Sequence, residues 1–447
     1  MLSAIIIRLL FSGMSWYSYI AIMVAIYQFI LLFNSIGHVI PVRYLLGSFM
    51  CLQFFIGPAF AYNGLDAYQY FVYLMKVPEA QYFGYALPAV ILFILGLHVN
   101  AGMLNGEVVD QERVKIFVKR NPNLPYFFII MGFVTSFVSG FFGSELSFVF
   151  YLLGSFKFIG LFLMILGSDQ LKPLPISIVI GSIISSSLGS GMFHDLLTWI
   201  VFIAAVFGIR YKFDFKTKLI GAFAFVVLAA TIQVMKGAYR TAIGGNSGQA
   251  GVKTFTKLAD EKNEKGGLLN YKSLAESNVR INQCFIITNI MVTVPDRVPF
   301  QNGKQMWQLF EAGVLPRIIA PNKLRAGDRA IFTKYSGIPL TAGTSMGLSS
   351  LGDAYVNFAV WGGCVFMFLL GLMYNGILQI FYKNSKSYPI LILFTALVFY
   401  YPIRPDCELQ TILGHLFKSC FLIGVIIVFW KHQFRVPLFY KRPVAVS

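Results

Sequence analysis

The stretch LIGAFAFVVLAATIQV, residues 219–234, decides the fold. It holds no charged side chain. Arg210, Lys212, Lys216 and Lys218 precede it, and Lys236 and Arg240 follow it. A helix rises about 1.5 Å per residue, so a run of about 20 apolar residues crosses a hydrocarbon core about 30 Å thick. With no water in that core, the backbone must satisfy its own polar groups, and a helix does so within one segment. The same pattern recurs at 16–33, 126–142, 354–374 and 412–430.

Spans are expected near 15–34, 43–62, 82–99, 125–142, 147–167, 174–190, 195–209, 218–235, 354–376, 388–403 and 411–430. Residues 1–14 are apolar but contain Arg8, and read either as an interfacial helix or as a twelfth crossing. No small-residue cleavage site feeding a soluble domain follows the first run, so it reads as a retained span rather than a signal peptide. Composition agrees: of 447 residues 57% are hydrophobic and 12% charged, against about 25% charged in soluble domains. The expected fold is an all-α polytopic membrane protein with about eleven transmembrane helices. It divides into a bundle at 1–236, a large loop at 237–352, further spans at 353–430 and a basic tail at 431–447.

Positive charge orients the chain. Alternate loops carry Arg113, Lys115, Lys119 and Arg120; Arg210, Lys212, Lys216 and Lys218; and Lys383 and Lys386, and the tail carries Lys431, Arg435, Lys441 and Arg442. These agree with an eleven-span count and are assigned to the cytoplasm, which puts 237–352 outside. That loop is glycine-rich at 244–251 and charged at 260–267. It then shows helix-compatible spacing at 268–294 and 304–319, with a proline-punctuated turn at 315–323. A small helical subdomain on the outer membrane face is expected.

Several function classes fall away. The net charge of +17 fits cytosolic loops and sites for anionic lipids or phosphates better than nucleic acid, because no zinc spacing, basic helix or aromatic RNA-binding motif is present. There is no GxxxxGK[ST] loop and no HExxH, so neither direct ATP coupling nor a protein-bound metal or cofactor is implied. Cys51, Cys284, Cys364, Cys407 and Cys420 are scattered and form no CxxC pair.

What remains is basic charge at the outer ends of spans, where the positive-inside bias makes it uncommon. Lys236 and Arg240 end the eighth span, Arg280 and Arg317 lie in the loop with Arg297, Lys323, Arg325, Arg329 and Lys334, and Arg404 follows the tenth. Guanidinium groups bind phosphate oxygens in bidentate geometry. The bland alternative is that these groups pair with Asp296, Asp328, Asp353, Glu276 and Glu311, or face water. Among the acids, Asp353 opens the ninth span and Glu408 precedes the eleventh. Either carboxylate is a candidate base toward a hydroxyl, and Asp353 is equally a helix-start residue favoured by the dipole. His194 and Asp195 are neighbours in sequence, but adjacent helical residues do not face each other. Tyrosines 68, 70, 73, 82 and 85 fit an interfacial belt better than a sugar platform.

Five fragments in order carry a resemblance: QVMKGAYR at 233–240, RINQ at 280–283, LPRIIAPNK at 315–323, TSMG at 344–347 and GDAYVNF at 352–358. Their order and their place on one large loop resemble the bacterial oligosaccharide repeat-unit polymerases, the Wzy-type O-antigen and exopolysaccharide polymerases. The likeness covers about 230–410, and the earlier spans match only in hydropathy. Where the family pattern would have Gly-Glu-Ala-Tyr, this chain has Asp353.

The resemblance implies a GT-C-type fold, that of the lipid-donor glycosyltransferases, in the bacterial inner membrane. It implies a membrane glycosyltransferase that moves a growing glycan from undecaprenyl pyrophosphate onto a new lipid-linked repeat unit. Lys236, Arg240, Arg280, Arg317 and Arg404 would hold pyrophosphate, and Asp353 or Glu408 would activate the acceptor. Partners would be the lipid-linked oligosaccharides, membrane lipids and a polysaccharide chain-length regulator. Two rivals are an O-antigen ligase and a lipid-linked oligosaccharide flippase. The ligases rely on a histidine in the large outer loop, whereas His38, His98, His194, His415 and His432 all lie outside 237–352. A flippase would have shorter loops and more ionisable residues within spans than Lys157.

Overall fold

A computed structural model of the protein describes residues 13–65, 73–101, 107–142, 147–244, 251–264, 270–315, 319–325, 327–341, 345–386 and 388–433. Arg317, most of 1–14 and the tail beyond 433 lie outside the described residues. Every regular element described is helical, apart from one antiparallel bridge between Val39 and Val108.

The chain opens with α1 (Trp16–Ser35), α2 (Val42–Tyr62), α3 (Glu79–His98), the short amphipathic α4 (Gln111–Arg120), α5 (Leu124–Val138) and α6 (Phe148–Gly167). Helices α7 (Pro173–Ser190), α8 (His194–Tyr211) and α9 (Phe215–Ile243) follow. The long connection holds α10 (Val252–Glu264), α11 (Tyr271–Ile281), α12 (Cys284–Thr293), α13 (Lys304–Val314) and α14 (Arg329–Ser336). Helices α15 (Ser349–Ser385), α16 (Leu391–Val398) and α17 (Leu409–Gln433) close the fold. Ten of these are long and apolar enough to cross a bilayer, which makes the protein a multi-pass membrane protein. Local signals set their ends. Asp214 caps α9 by accepting from the Thr217 amide at 3.0 Å. Gly191 and Gly244 end α7 and α9 in the left-handed region that favours glycine.

Close helix crossings rest on glycine, as membrane packing favours. A Cβ on Gly96 or Gly371 would come within 2.4 or 2.2 Å of a carbonyl oxygen on the opposite helix, so α3 and α15 touch backbone to backbone. The basic loops meet at one end of the bundle. Arg113 donates to the Lys386 carbonyl at 2.7 Å, Lys119 pairs with Asp169 at 3.0 Å, and Arg210 donates to the Ser168 carbonyl at 2.7 Å. Near them lies Arg43, fully buried, paired with Glu107 at 3.2 Å and donating to Asn375 at 2.8 Å and to the Leu97 carbonyl. Burying a charge demands such partners.

Two expectations need correction. The span expected at 388–403 contains only α16, whose eight residues are all buried and which rises about 12 Å. Its flanks are turns, among them Arg404 N–H to the Tyr401 carbonyl at 2.9 Å. Irregular backbone at membrane depth is tolerated where protein encloses it, and α6, α15 and α17 do so here. The second correction concerns the loop, which does not simply lie on the bundle. The break between α11 and α12 seats Asn282 against Gly57, where a Cβ would come within 2.7 Å of the Asn282 Cα. Helix α12 is then buried along most of its length, its Cys284 thiol 2.6 Å from the Tyr82 hydroxyl.

Helix α15 is interrupted at Ala359, which has φ 55° and ψ −154°, a region sparsely open to any residue with a Cβ. The freed Val356 carbonyl accepts from the Gln301 amide at 3.0 Å. The interruption separates the buried first turns of α15 from its long apolar remainder. Ala359→Gly should raise thermal stability by roughly 1 kcal/mol by relieving that strain, read as melting temperature in detergent. Gly371→Leu should remove the folded monodisperse species on size exclusion, since no shift of a flexible side chain makes room.

Candidate functional site

At the end of the bundle from which the long connection emerges, helices distant in sequence bring cations together. The last turns of α9 present Lys236 and Arg240, fixed by two bonds to the end of α7. The Tyr239 hydroxyl donates to the Leu188 carbonyl at 3.0 Å, and Arg240 Nε donates to the Gly191 carbonyl at 2.9 Å. Arg280, from the last turn of α11, lies over Gly237, where a Cβ would meet its Nη2 at 2.3 Å. Arg404 enters from the turn after α16 with its guanidinium 5.5 Å from the Tyr401 ring. Lys236 lies within electrostatic range of Arg240, Arg280 and Arg404. Of the predicted phosphate ligands, then, Lys236, Arg240, Arg280 and Arg404 share one site.

The carboxylates within range of this cluster are Asp406 and Asp195, with His194 beside them. Among the described residues no ion pair closes on any of the four cations. Arg404 Nε and one Asp406 carboxylate oxygen are buried without a hydrogen-bond partner. Two unit charges about 6 Å apart at an effective dielectric of about 20 repel by about 3 kcal/mol. Such a cluster favours an anion with several oxygens.

The acidic candidates form a second centre joined to the first by the four-residue step from Arg404 to Glu408. Asp353, buried in the first turns of α15, accepts from Gln305 Nε2 at 2.8 Å. Asn357 holds that glutamine by donating to its side-chain oxygen, and its own Oδ1 accepts from the Met306 amide at 3.1 Å. Glu408 receives the Gly327 amide on both oxygens, at 3.0 and 2.9 Å. Asp353 and Glu408 line a cavity of about 20 Å³ together with Gln305, Arg325 and Asp328, the room of about one water molecule. Burial raises the Glu408 carboxyl above its ordinary range, against the opposing pull of the Gly327 amide. A carboxylate raised in this way is a stronger base near neutral pH.

Gln305 and Gly327 carry no charge and did not stand out in the sequence, whereas Asn357 falls within the GDAYVNF fragment. The buried position of Gln305 on the otherwise apolar face of α13 is the available signal. His194 and Asp195 join the basic cluster from α8, and their role is legible only once α8, α9 and the 404–408 turn are placed together. The described residues form no group of three or more metal-ligating side chains.

The fold and site define a multi-pass helical membrane protein with a cationic cluster beside a carboxylate pair. Comparison with protein-family models, curated proteins and solved structures gave no match.

Gly237→Ala should push the Arg280 guanidinium aside while leaving stability within about 0.5 kcal/mol, because the displaced atoms end a flexible side chain. Weaker binding of inorganic pyrophosphate at an unchanged melting temperature would place Arg280 in the anion site. Unchanged binding would remove it from that site.

Proposed function

We propose that the protein is a membrane glycosyltransferase that polymerises lipid-diphosphate-linked oligosaccharide repeat units at the outer face of the bacterial inner membrane. The observation that carries this reading is the cluster of Lys236, Arg240, Arg280 and Arg404, joined by the 404–408 turn to Glu408, which lines one cavity with Asp353. The family resemblance of 230–410 supports it, and the basic loops gathered at the opposite end fit the positive-inside orientation it requires. The substrates are undecaprenyl-pyrophosphate-linked oligosaccharides.

Chemically, the bond between the donor sugar's anomeric carbon and the diphosphate oxygen breaks, and its electron pair leaves with the lipid diphosphate. An acceptor hydroxyl forms the new bond to that carbon and gives its proton to a carboxylate. The cations stabilise charge developing on the leaving oxygen, where preorganised donors act most strongly. Glu408 is the better placed base, since Asp353 is fully enclosed and held by Gln305. Arg317, which the resemblance also assigns to the diphosphate, lies outside the described residues.

Deleting the gene in its host and resolving surface glycan by size tests the reading. The account expects long ladders to collapse to one repeat unit, with rescue by wild type and not by Arg404→Ala or Arg240→Ala. Loss of all surface glycan, with lipid-linked units trapped on the cytoplasmic side, would indicate a flippase. In membranes, activity should fall with acid as Glu408 takes up its proton, at a pH above that of an ordinary glutamate, because burial raises its carboxyl. Glu408→Gln should abolish turnover at every pH. An acidic limb that survives in this variant would assign the base elsewhere.

A further inference from the structure

Helix α9 is clamped at both ends and unpacked between them. At one end the Phe215 ring meets Phe33 edge-on at 5.6 Å. At the other, Tyr239 and Arg240 bind the end of α7. From residue 215 to residue 231 no side chain is buried, a length of about 25 Å. The helix is nonetheless not uniform around its axis. Lys218, Ala222, Phe225 and Ala229 are half-buried, Ile232 is buried, and Lys236 and Tyr239 continue the same line. Steps of three and four residues keep these positions on one helix face. The opposite side is open, with Ile220 and Phe223 each 71% exposed. Helix α7, which meets α9 at its end, buries only Val179, Ile183 and Ser187. A Cβ added at Gly181, Gly189 or Gly221 would meet nothing within 4 Å.

Helices in lipid associate by close packing, since acyl chains are as apolar as leucine. A span held only at its ends therefore leaves a lateral seat for an apolar chain, and this seat leads along one face from Ala222 and Ala229 to Lys236 in the cation cluster. We infer that the inward stripe of α9 seats the polyisoprenoid chain of a lipid diphosphate whose headgroup lies on Lys236, Arg240, Arg280 and Arg404. This rests on the proposed function for the headgroup and adds where the tail lies and how it enters, sideways from the bilayer. Charge complementarity selects the occupant. A neighbouring apolar helix or a second copy of the chain would have no use for four cations at the end of the seat.

The test uses the full chain in nanodiscs with two probes, inorganic pyrophosphate and a polyprenyl diphosphate. Ala229→Trp should weaken polyprenyl diphosphate binding at least about tenfold and leave pyrophosphate binding unchanged, while Ile220→Trp on the open side should alter neither. A photocrosslinking residue in place of Ala229 should label the polyprenyl probe, which keeps the test open should the tryptophan variant fail to fold. Equal polyprenyl diphosphate binding by folded Ala229→Trp, or labelling from position 229 of only protein or bulk phospholipid, would overturn the tail seat. Absence of pyrophosphate binding by the wild type would instead strike the headgroup reading, so the two failures are distinguishable.

Discussion

Like charges held side by side repel, and the arrangement of this protein turns on keeping Lys236, Arg240, Arg280 and Arg404 together at one end of the bundle. The three arginines are held by different devices. The end of α7 grips Arg240 through the Gly191 carbonyl, a bare glycine leaves room for Arg280, and an aromatic ring faces Arg404. Asp195 and Asp406 moderate the charge without closing an ion pair on it among the described residues. A cluster built at that electrostatic cost is preorganised for an anion, in the sense that its dipoles and charges need not move to meet one.

The remaining structure supports that end. The turn from Arg404 to Glu408 ties cations to carboxylates, and Gly347 packs against it so closely that a Cβ would come within 2.8 Å of the Glu408 amide nitrogen. The interruption at Ala359 lets the first turns of α15 present Asp353 toward α13 while the rest of the helix crosses the bundle. At the other end, Arg43 and Glu107 fasten α2 and α15 through Asn375. A buried pair of this kind is costly to break because removing one partner strands the other charge.

Most of the architecture was legible in hydropathy, and the exceptions have physical causes. Residues 388–403 are as apolar as a span because they are enclosed by protein, and apolarity reports burial rather than helix length. Residues 284–293 are apolar nearly all round, which marks a buried helix rather than one lying on a surface. Lys236, Arg240 and Arg404 could be singled out because basic residues at those span ends depart from the expected charge bias, whereas Arg280 and Arg317 lie within the long connection. Gln305 and Gly327 were not legible, since their importance comes from what α13 and the loop before α14 happen to face. His194 and Asp195 needed the packing of α8 against its neighbours.

The most direct measurement is a reconstitution of the purified protein in proteoliposomes with a synthetic oligosaccharide on a polyprenyl diphosphate. The account predicts glycans lengthened by whole repeat units, with one free polyprenyl diphosphate released for each new glycosidic bond, and neither product from Arg404→Ala. Movement of intact lipid-linked units across the bilayer, without any new glycosidic bond, would contradict it.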